Sequence, residues 1–265
     1  MTTDAPSLRD LRVLVTRPEP QQQELVDAIE ARGGSAVSLP LLDIEPITDA
    51  KAQQLLRRLL LDLDQYQLLI FISSNAVHHG CDLIEQYWPQ FPVGVELFAV
   101  GPSTASVLQQ RLGLNVQHSP TGMDSEALLD LPRLTAVAGQ KIAIFRGEGG
   151  RELLASTLRQ RGARVDYLEV YRRRSLSYPA QTLADTFSPT GVNVLTVTSG
   201  QSLTQLHELT TAHRQRLSLL PLLVPSPRLA EQARQLGFQN TQNAGGADTA
   251  SMIATLQEIA ARADT

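Results

Sequence analysis

Three kinds of residue in this chain have the type and placing to act on a ligand. The first are small polar residues that close short apolar runs. Ser73, Ser74 and Asn75 follow residues 68–72, Ser103 and Thr104 follow 97–100, and Thr121 and Gly122 lie in a Pro/Gly loop. Thr198 and Ser199 follow 192–197, and Ser226 follows 222–224. At the start of a helix, such hydroxyls and the free N–H groups of the first turn bind carboxylates or phosphates without lysine. The alternative use is simply to cap the helix. The second kind is arginine. Arg17 and Arg146 each stand directly after an apolar run, where a guanidinium reaches either an acidic ligand or a surface carboxylate. Six arginines fall between 159 and 174 against Asp166 and Glu169, a stretch suited to a polyanion or to a solvated face. The third is Tyr171, which ends an apolar run. A phenol is protonated at neutral pH, so it donates a proton or hydrogen bond and is a weak base. A purely structural tyrosine is the alternative.

Other chemistries find less support. His78 and His79 are adjacent on a helical stretch and point about 100° apart. His118, His207 and His213 have no Cys or carboxylate at ligand spacing, so no metal site is expected. The single cysteine, Cys81, excludes an internal disulfide and reads as a core residue. The run Arg146-Gly-Glu-Gly-Gly150 invites a dinucleotide reading, but Glu152 stands where the third glycine of G-x-G-x-x-G belongs. There is no G-x-x-x-x-G-K-[ST] either. No cofactor is expected.

The elements that must position these residues are written twice. Residues 11–46 and 140–173 align without a gap through a strand and a helix. Leu11, Arg17, Glu19, Leu25 and Gly33 meet Gln140, Arg146, Glu148, Leu154 and Gly162, a constant offset of 129. Each copy reads as a buried strand (13–16, 142–145), a turn after arginine, an amphipathic helix with a glycine exit, and a second apolar strand (37–42, 165–171). Fainter echoes link the regions that follow: Gly122, Asp124, Ser125 and Leu129 meet Gly246, Asp248, Thr249 and Ile253 at an offset of 124. The order A–B–A′–B′ predicts two similar lobes. Every strand hands over to a polar or Gly/Pro turn and then a helix, the pattern of a parallel sheet covered on both faces. Function is then expected at the carboxyl ends of the strands, and in a cleft between the lobes. Residues 1–10 read as frayed, 44–47 as an extended connection, and Ser125 as the cap of a helix over 126–131.

The 265 residues suit two ordinary domains, and 42% hydrophobic content fills two cores. A net charge of -4 argues against a dedicated nucleic-acid surface. The opening MTTDAPSLRD lacks the apolar core of a signal peptide, and the late apolar run 217–224 is too short for a membrane span. A cytoplasmic protein with no membrane partner is expected.

Taken in order, VLVTRP (13–18), FISSNAV (71–77), AVGPSTASVL (99–108), PTGMDSEALL (120–129), FRGEGGRELLASTLRQRGARVDYLEVY (145–171) and VLTVTSGQSL (194–203) resemble the uroporphyrinogen-III synthase family over nearly the whole chain. The late turn departs: VPSPRLA (224–230) stands where related sequences often read GPTTA. The resemblance implies two flavodoxin-like α/β lobes with parallel sheets joined by a two-stranded linker. One lobe would comprise 1–38 with 173–265, the other 39–172, and the lobes would move about the substrate. It also implies a lyase that cyclises hydroxymethylbilane, a linear tetrapyrrole with eight carboxylates. Loss of the terminal hydroxyl gives an azafulvene, the substituted α-carbon of ring D attacks it, and a spiro intermediate recloses with ring D inverted. Tyr171 matches the tyrosine near the departing hydroxyl, a proton donor. Thr198, Ser199, Ser73 and Ser74 would hold propionates or acetates, and no strong general base stands out. A monomer is expected, with functional coupling to the enzyme that supplies the bilane. The competing readings are a two-lobed binding protein for a small polyanion, and a sugar-nucleotide transferase, for which no nucleotide or metal-binding motif is seen.

Overall fold

Short runs of Val, Ile, Leu and Phe, each stopped by a polar or Gly/Pro turn, form the strands of this protein. The structure is a computed structural model describing residues 7–122 and 124–263. Its strands are β1 (Arg12–Val15), β2 (Ser35–Ser38), β3 (Leu42–Pro46), β4 (Leu68–Phe71), β5 (Glu96–Ala99), β6 (Val116–Gln117), β7 (Lys141–Gly147), β8 (Arg164–Ser175), β9 (Val194–Thr196), β10 (Leu222–Val224) and β11 (Thr241–Asn243). They form two sheets, ordered β11-β10-β9-β1-β2 and β3-β8-β7-β4-β5-β6. The ladders of β1 with β2 and β9, and of β10 with β9 and β11, are parallel. So are those of β4 with β5 and β7, of β5 with β6, and of β7 with β8.

The chain divides into two compact units. One is the described part of Met1–Asp43 with Arg174–Thr265, the other Ile44–Arg173. The chain passes from one to the other twice, along the neighbouring strands β3 and β8. Each unit is an α/β lobe whose sheet is buried on both faces. In the first, Leu14, Leu195 and Leu222 face one apolar cluster, while Val13, Val15, Val194 and Leu223 face another. In the second, Phe71, Leu97 and Phe145 lie on one face, and Ile70, Phe98 and Ile144 on the other. This alternation explains why the strands read as continuous apolar runs.

The sheet orders show how the two copies are used. Numbered by their own sequence, the five strands of the first sheet lie in the order 2-1-3-4-5, the flavodoxin-like arrangement. In the second sheet β8-β7-β4-β5-β6 repeats that spatial order, but the chain begins it at β4. The copy A (β1, β2) is therefore completed by B′ (β9 to β11), and B (β4 to β6) by A′ (β7, β8). Each repeat fills the other's sheet.

Several local expectations are corrected. Residues 37–42 are not one strand: the chain leaves β2 at Ser38, and β3 starts at Leu42 in the other sheet, after Pro40. The segment 44–47, read as a connection, is mostly strand, because β8 continues to Ser175 and gives it a neighbour. Residues 1–6 of the frayed segment lie outside the described residues. Residues 7–10 are held: Leu8 is fully buried, and its N–H donates to the Arg32 carbonyl at 2.9 Å. Asp124, not Ser125, caps the helix Ser125–Leu129 by accepting the Ala127 N–H at 2.9 Å. The strand β11 is polar (Thr-Gln-Asn) and gave no apolar signal. No helix among the described residues is long and apolar enough to cross a membrane.

Candidate functional site

In an open α/β sheet, ligands bind outside the carboxyl ends of the strands where the strand order reverses. That point lies between β1 and β9 in the first unit and between β7 and β4 in the second. Of the residues singled out by sequence, Arg17, Thr198 and Ser199 follow the strands at the first. Arg146, Ser73, Ser74 and Asn75 lie on or after those at the second, with Tyr171 on neighbouring β8. Ser103, Thr104, Thr121, Gly122 and Ser226 follow strands farther out.

In the second unit, β4 runs into Ser73, whose extended backbone (φ -164, ψ 161) starts the helix Ser74–Tyr87. Its Oγ accepts the Ala76 N–H at 3.1 Å. Ser73 Oγ also lies 3.2 Å from the Tyr171 hydroxyl. Tyr171 comes from β8, two strands away, and reaches across because β7 ends in glycine. A Cβ on Gly147 would sit 2.6 Å from Tyr171 Cε2. The β7–β8 register also shifts between Arg146 and Gly147, so that Gly147 stands opposite Tyr171. The tyrosine ring is fully buried. The Arg173 guanidinium donates to its hydroxyl at 2.7 Å and stacks over the ring at 5.1 Å. The His79 ring stacks 5.6 Å from it at 26°. Burial lowers the His79 pKa, with Asp82 opposing and His78 adding to the shift, so the imidazole beside the phenol is neutral at pH 7.

Ser74 and Asn75 occupy the first turn of the same helix, half-buried. Gly101 caps the next helix, Pro102–Leu112, with Ser103 exposed and Thr104 buried in its first turn. Thr121 is exposed, its N–H and hydroxyl both near Ser119 Oγ. Gly122 is packed so closely that a Cβ would meet Ala127 Cβ at 2.5 Å.

In the first unit, the strands flanking the reversal are clamped by buried threonines. Thr16 Oγ1 donates to the Thr196 carbonyl and Thr196 Oγ1 to the Leu14 carbonyl, both at 2.7 Å. Beyond them, Ser199 caps the helix Gly200–Leu209 by accepting the Ser202 N–H at 3.1 Å, and Thr198 beside it is half-buried. Ser226 caps Pro227–Gln235 by accepting the Leu229 N–H at 3.3 Å. Pro227, at the first helical position, brings no N–H, so that turn, like the one at Pro102, offers one backbone donor fewer than those after Ser73 and Ser199.

The two arginines that sequence treats as equivalent differ. Arg146 is buried and folded into its own loop: it donates to the Gly147 and Gly149 carbonyls, pairs with Glu152 and stacks on Tyr167. Arg17 instead has a buried Nη2 with no hydrogen-bond partner among the described residues. Burial lowers its pKa, opposed by Glu24 and Asp248. An unpaired buried donor is costly, and a ligand carboxylate would satisfy it.

Of the basic stretch, Arg159 and Arg161 serve backbone carbonyls, Arg172 pairs with Glu148, and Arg174 with Asp43. Arg173 is the member aimed at Tyr171. Sequence reading overlooked it, although two residues along a strand is same-face spacing. It weighed Gly147 only within a rejected dinucleotide run, and His79 only as a metal ligand, which it rejected. Burial pushes the Cys81 thiol up to about 11, an unreactive core residue. Among the described residues no group of three His, Cys, Asp or Glu side chains could hold a metal.

The family model described as Uroporphyrinogen-III synthase HemD matches residues 23–254. Uroporphyrinogen-III synthase of Salmonella typhimurium is 37% identical over 249 residues, covering 93% of this chain and all of that one. The Escherichia coli K12 enzyme of the same name is 36% identical over 254 residues, with the same coverage. Two solved structures share the fold at low identity. One is a mutant uroporphyrinogen III synthase from Thermus thermophilus (TM-score 0.61, 17% identity, 95% of this chain and 99% of that one). The other is the Helicobacter pylori uroporphyrinogen-III synthetase (TM-score 0.58, 13% identity, 94% and 99%). With the match spanning most of its length, this chain belongs to the uroporphyrinogen-III synthase family.

Proposed function

We propose that this protein closes hydroxymethylbilane to uroporphyrinogen III, and that the Tyr171 cluster at the carboxyl end of the second sheet supplies the proton that lets the terminal hydroxyl leave. The observation that carries this reading is the phenol held by Arg173 beside Ser73 at the sheet's reversal point, in a chain of this family. The pyrrole nitrogen provides the electron push and the protein the proton, so the C–O bond breaks to water and an electrophilic methylene carbon. The substituted α-carbon of ring D then attacks, and the spiro intermediate fragments and recloses with that ring inverted. Holding the bilane so that this hindered carbon meets the methylene is the larger task, since unassisted closure gives the unrearranged isomer.

Substrate carboxylates are met in the first unit by Arg17, whose buried donor lacks a partner among the described residues, and by the helix-start groups at Thr198 and Ser199, and in the second unit by those at Ser74. Asn75, Ser103, Thr104, Thr121, Gly122 and Ser226 line the remaining turns. Arg146, saturated by its own loop, shapes that loop instead of binding substrate.

The test is a product-isomer assay. Freshly generated hydroxymethylbilane is supplied to the purified protein, and the oxidised type I and type III uroporphyrins are separated. Rapid, type III-dominated conversion is expected. An unchanged type I background from folded protein would sink the proposal in favour of a polyanion-binding protein.

A further inference from the structure

Hydrogen-bond directions in the Tyr171 cluster fix which atom can hand a proton outward. Arg173 is a donor only, so at 2.7 Å the Tyr171 oxygen must accept from it. The phenol's own hydrogen then needs an acceptor, because the ring is fully buried and an unpaired O–H there is costly. Among the described residues, the acceptor within reach is Ser73 Oγ, at 3.2 Å. Ser73 Oγ already accepts the Ala76 N–H at 3.1 Å, which with the phenol fills its two lone pairs. Its own hydrogen is left to point away from both. Ser73 is half-buried, unlike Tyr171. The group this cluster presents outward is therefore the serine hydroxyl, with the tyrosine standing behind it.

We infer that Ser73 is the catalytic residue that delivers the proton to the departing hydroxyl and that Tyr171 resupplies it, through the chain Arg173 to Tyr171 to Ser73. The inference rests on the synthase reading above and deepens it. In the step, the Ser73 O–H bond breaks toward the leaving oxygen as the substrate C–O bond breaks, its electron pair leaving with water. Ser73 Oγ simultaneously takes the Tyr171 proton. The phenolate so formed faces the Arg173 guanidinium, which stabilises it through a charge-assisted hydrogen bond. The proton returns along the same path when the free α-carbon of ring D loses its hydrogen in the last ring closure. Tyr171 and Arg173 thus need not touch the substrate.

The experiment compares Ser73→Asn, Ser73→Thr, Tyr171→Phe and the double variant Ser73→Asn/Tyr171→Phe for type III formation from fresh hydroxymethylbilane, with a proton inventory in H2O/D2O mixtures. Asparagine keeps the helix cap but has no hydroxyl, while threonine keeps both. Ser73→Asn and Tyr171→Phe are each expected to lose about 10²-fold in kcat, the low end for a general acid. The double variant should be no slower, and Ser73→Thr should recover most of the rate. The wild-type proton inventory should be bowed, because two protons move together. Full activity in Ser73→Asn beside an impaired Tyr171→Phe, or losses that multiply in the double variant, would overturn the relay. So would a linear wild-type inventory, which needs no variant to fold. Wild-type protein that yields no type III product is a different outcome and overturns the synthase reading itself.

Discussion

Arg173 and His79 set the state of Tyr171 from its two ring contacts and its hydroxyl. Arg173→Met removes the donor that turns the phenol's hydrogen toward Ser73 and empties the stacking contact. Its expected effect is a fall in kcat of about tenfold, equivalent to about 1.4 kcal/mol, with KM little changed. Lysine at 173 should restore part of the rate, since it donates but does not stack as a guanidinium does. Steady-state kinetics on both variants decide this. His79 bears on stability. Its folded-state pKa lies below the ordinary 6.5 because burial opposes the charge, with Asp82 resisting and His78 assisting. The unfolded chain therefore takes up the proton at higher pH than the folded chain does. His79 supports folding fully above pH 6.5, and that support is lost as pH falls through and below this value. Urea unfolding midpoints should decline from about pH 7 to about pH 5, and His79→Gln should flatten the decline. Sequence singled out the polar turns and Tyr171 because a Ser, Thr or Tyr closing an apolar run is visible as a change of type, although β8 continues past Tyr171 to Ser175. It hid Arg173 in a run of three arginines, where the partner of each depends on side-chain facing and not on composition.

At the scale of elements, two glycines bring Ser73 and Tyr171 together. Gly80 lies on the inner face of Ser74–Tyr87, where a Cβ would meet Phe145 at 2.7 Å and Phe71 at 3.1 Å. Those rings stack at 4.3 Å across β4 and β7. Gly80→Ala would lift the helix from the sheet and cost about 1–3 kcal/mol, read as a lower melting temperature. Gly147→Ala acts otherwise. The added methyl would occupy the tyrosine ring's place, so loss of type III formation is expected to exceed any loss of stability. Activity and thermal melts on the two variants separate these effects. In the sequence Gly147 stands in the run that invites a dinucleotide reading and fails it at Glu152. Its purpose became clear only with the register of β7 against β8. Strand-turn-helix units were legible throughout because their apolar runs and caps are local. The strands β3 and β11 were not: one is mostly half-buried and ends in a proline, and the other is polar and held by ladder bonds to β10.

For the whole molecule, the repeat told that there are two lobes and left open which copy joins which, and only the family resemblance supplied a pairing. The answer is written in pairings between residues far apart in the chain, such as Val13 with Val194. Each unit has its own apolar clusters on both faces of its sheet. Leu203→Ala should therefore unfold the first unit earlier, and Leu69→Ala the second, each by about 2–5 kcal/mol. Hydrogen exchange followed by mass spectrometry should show protection falling mainly within the unit that carries the substitution. The central position of β1 has a consequence for synthesis on the ribosome. One neighbour in its sheet, β2, emerges at once, but the other, β9, is made roughly 180 residues after β1, about 9–36 s at ordinary elongation rates. During that interval the second unit, Ile44–Arg173, can complete its sheet while Val13, Leu14 and Val15 still lack their cover. The nascent chain thus carries an unfinished apolar strand ahead of a finished lobe, which makes its first forty residues the segment where chaperone binding during translation should concentrate.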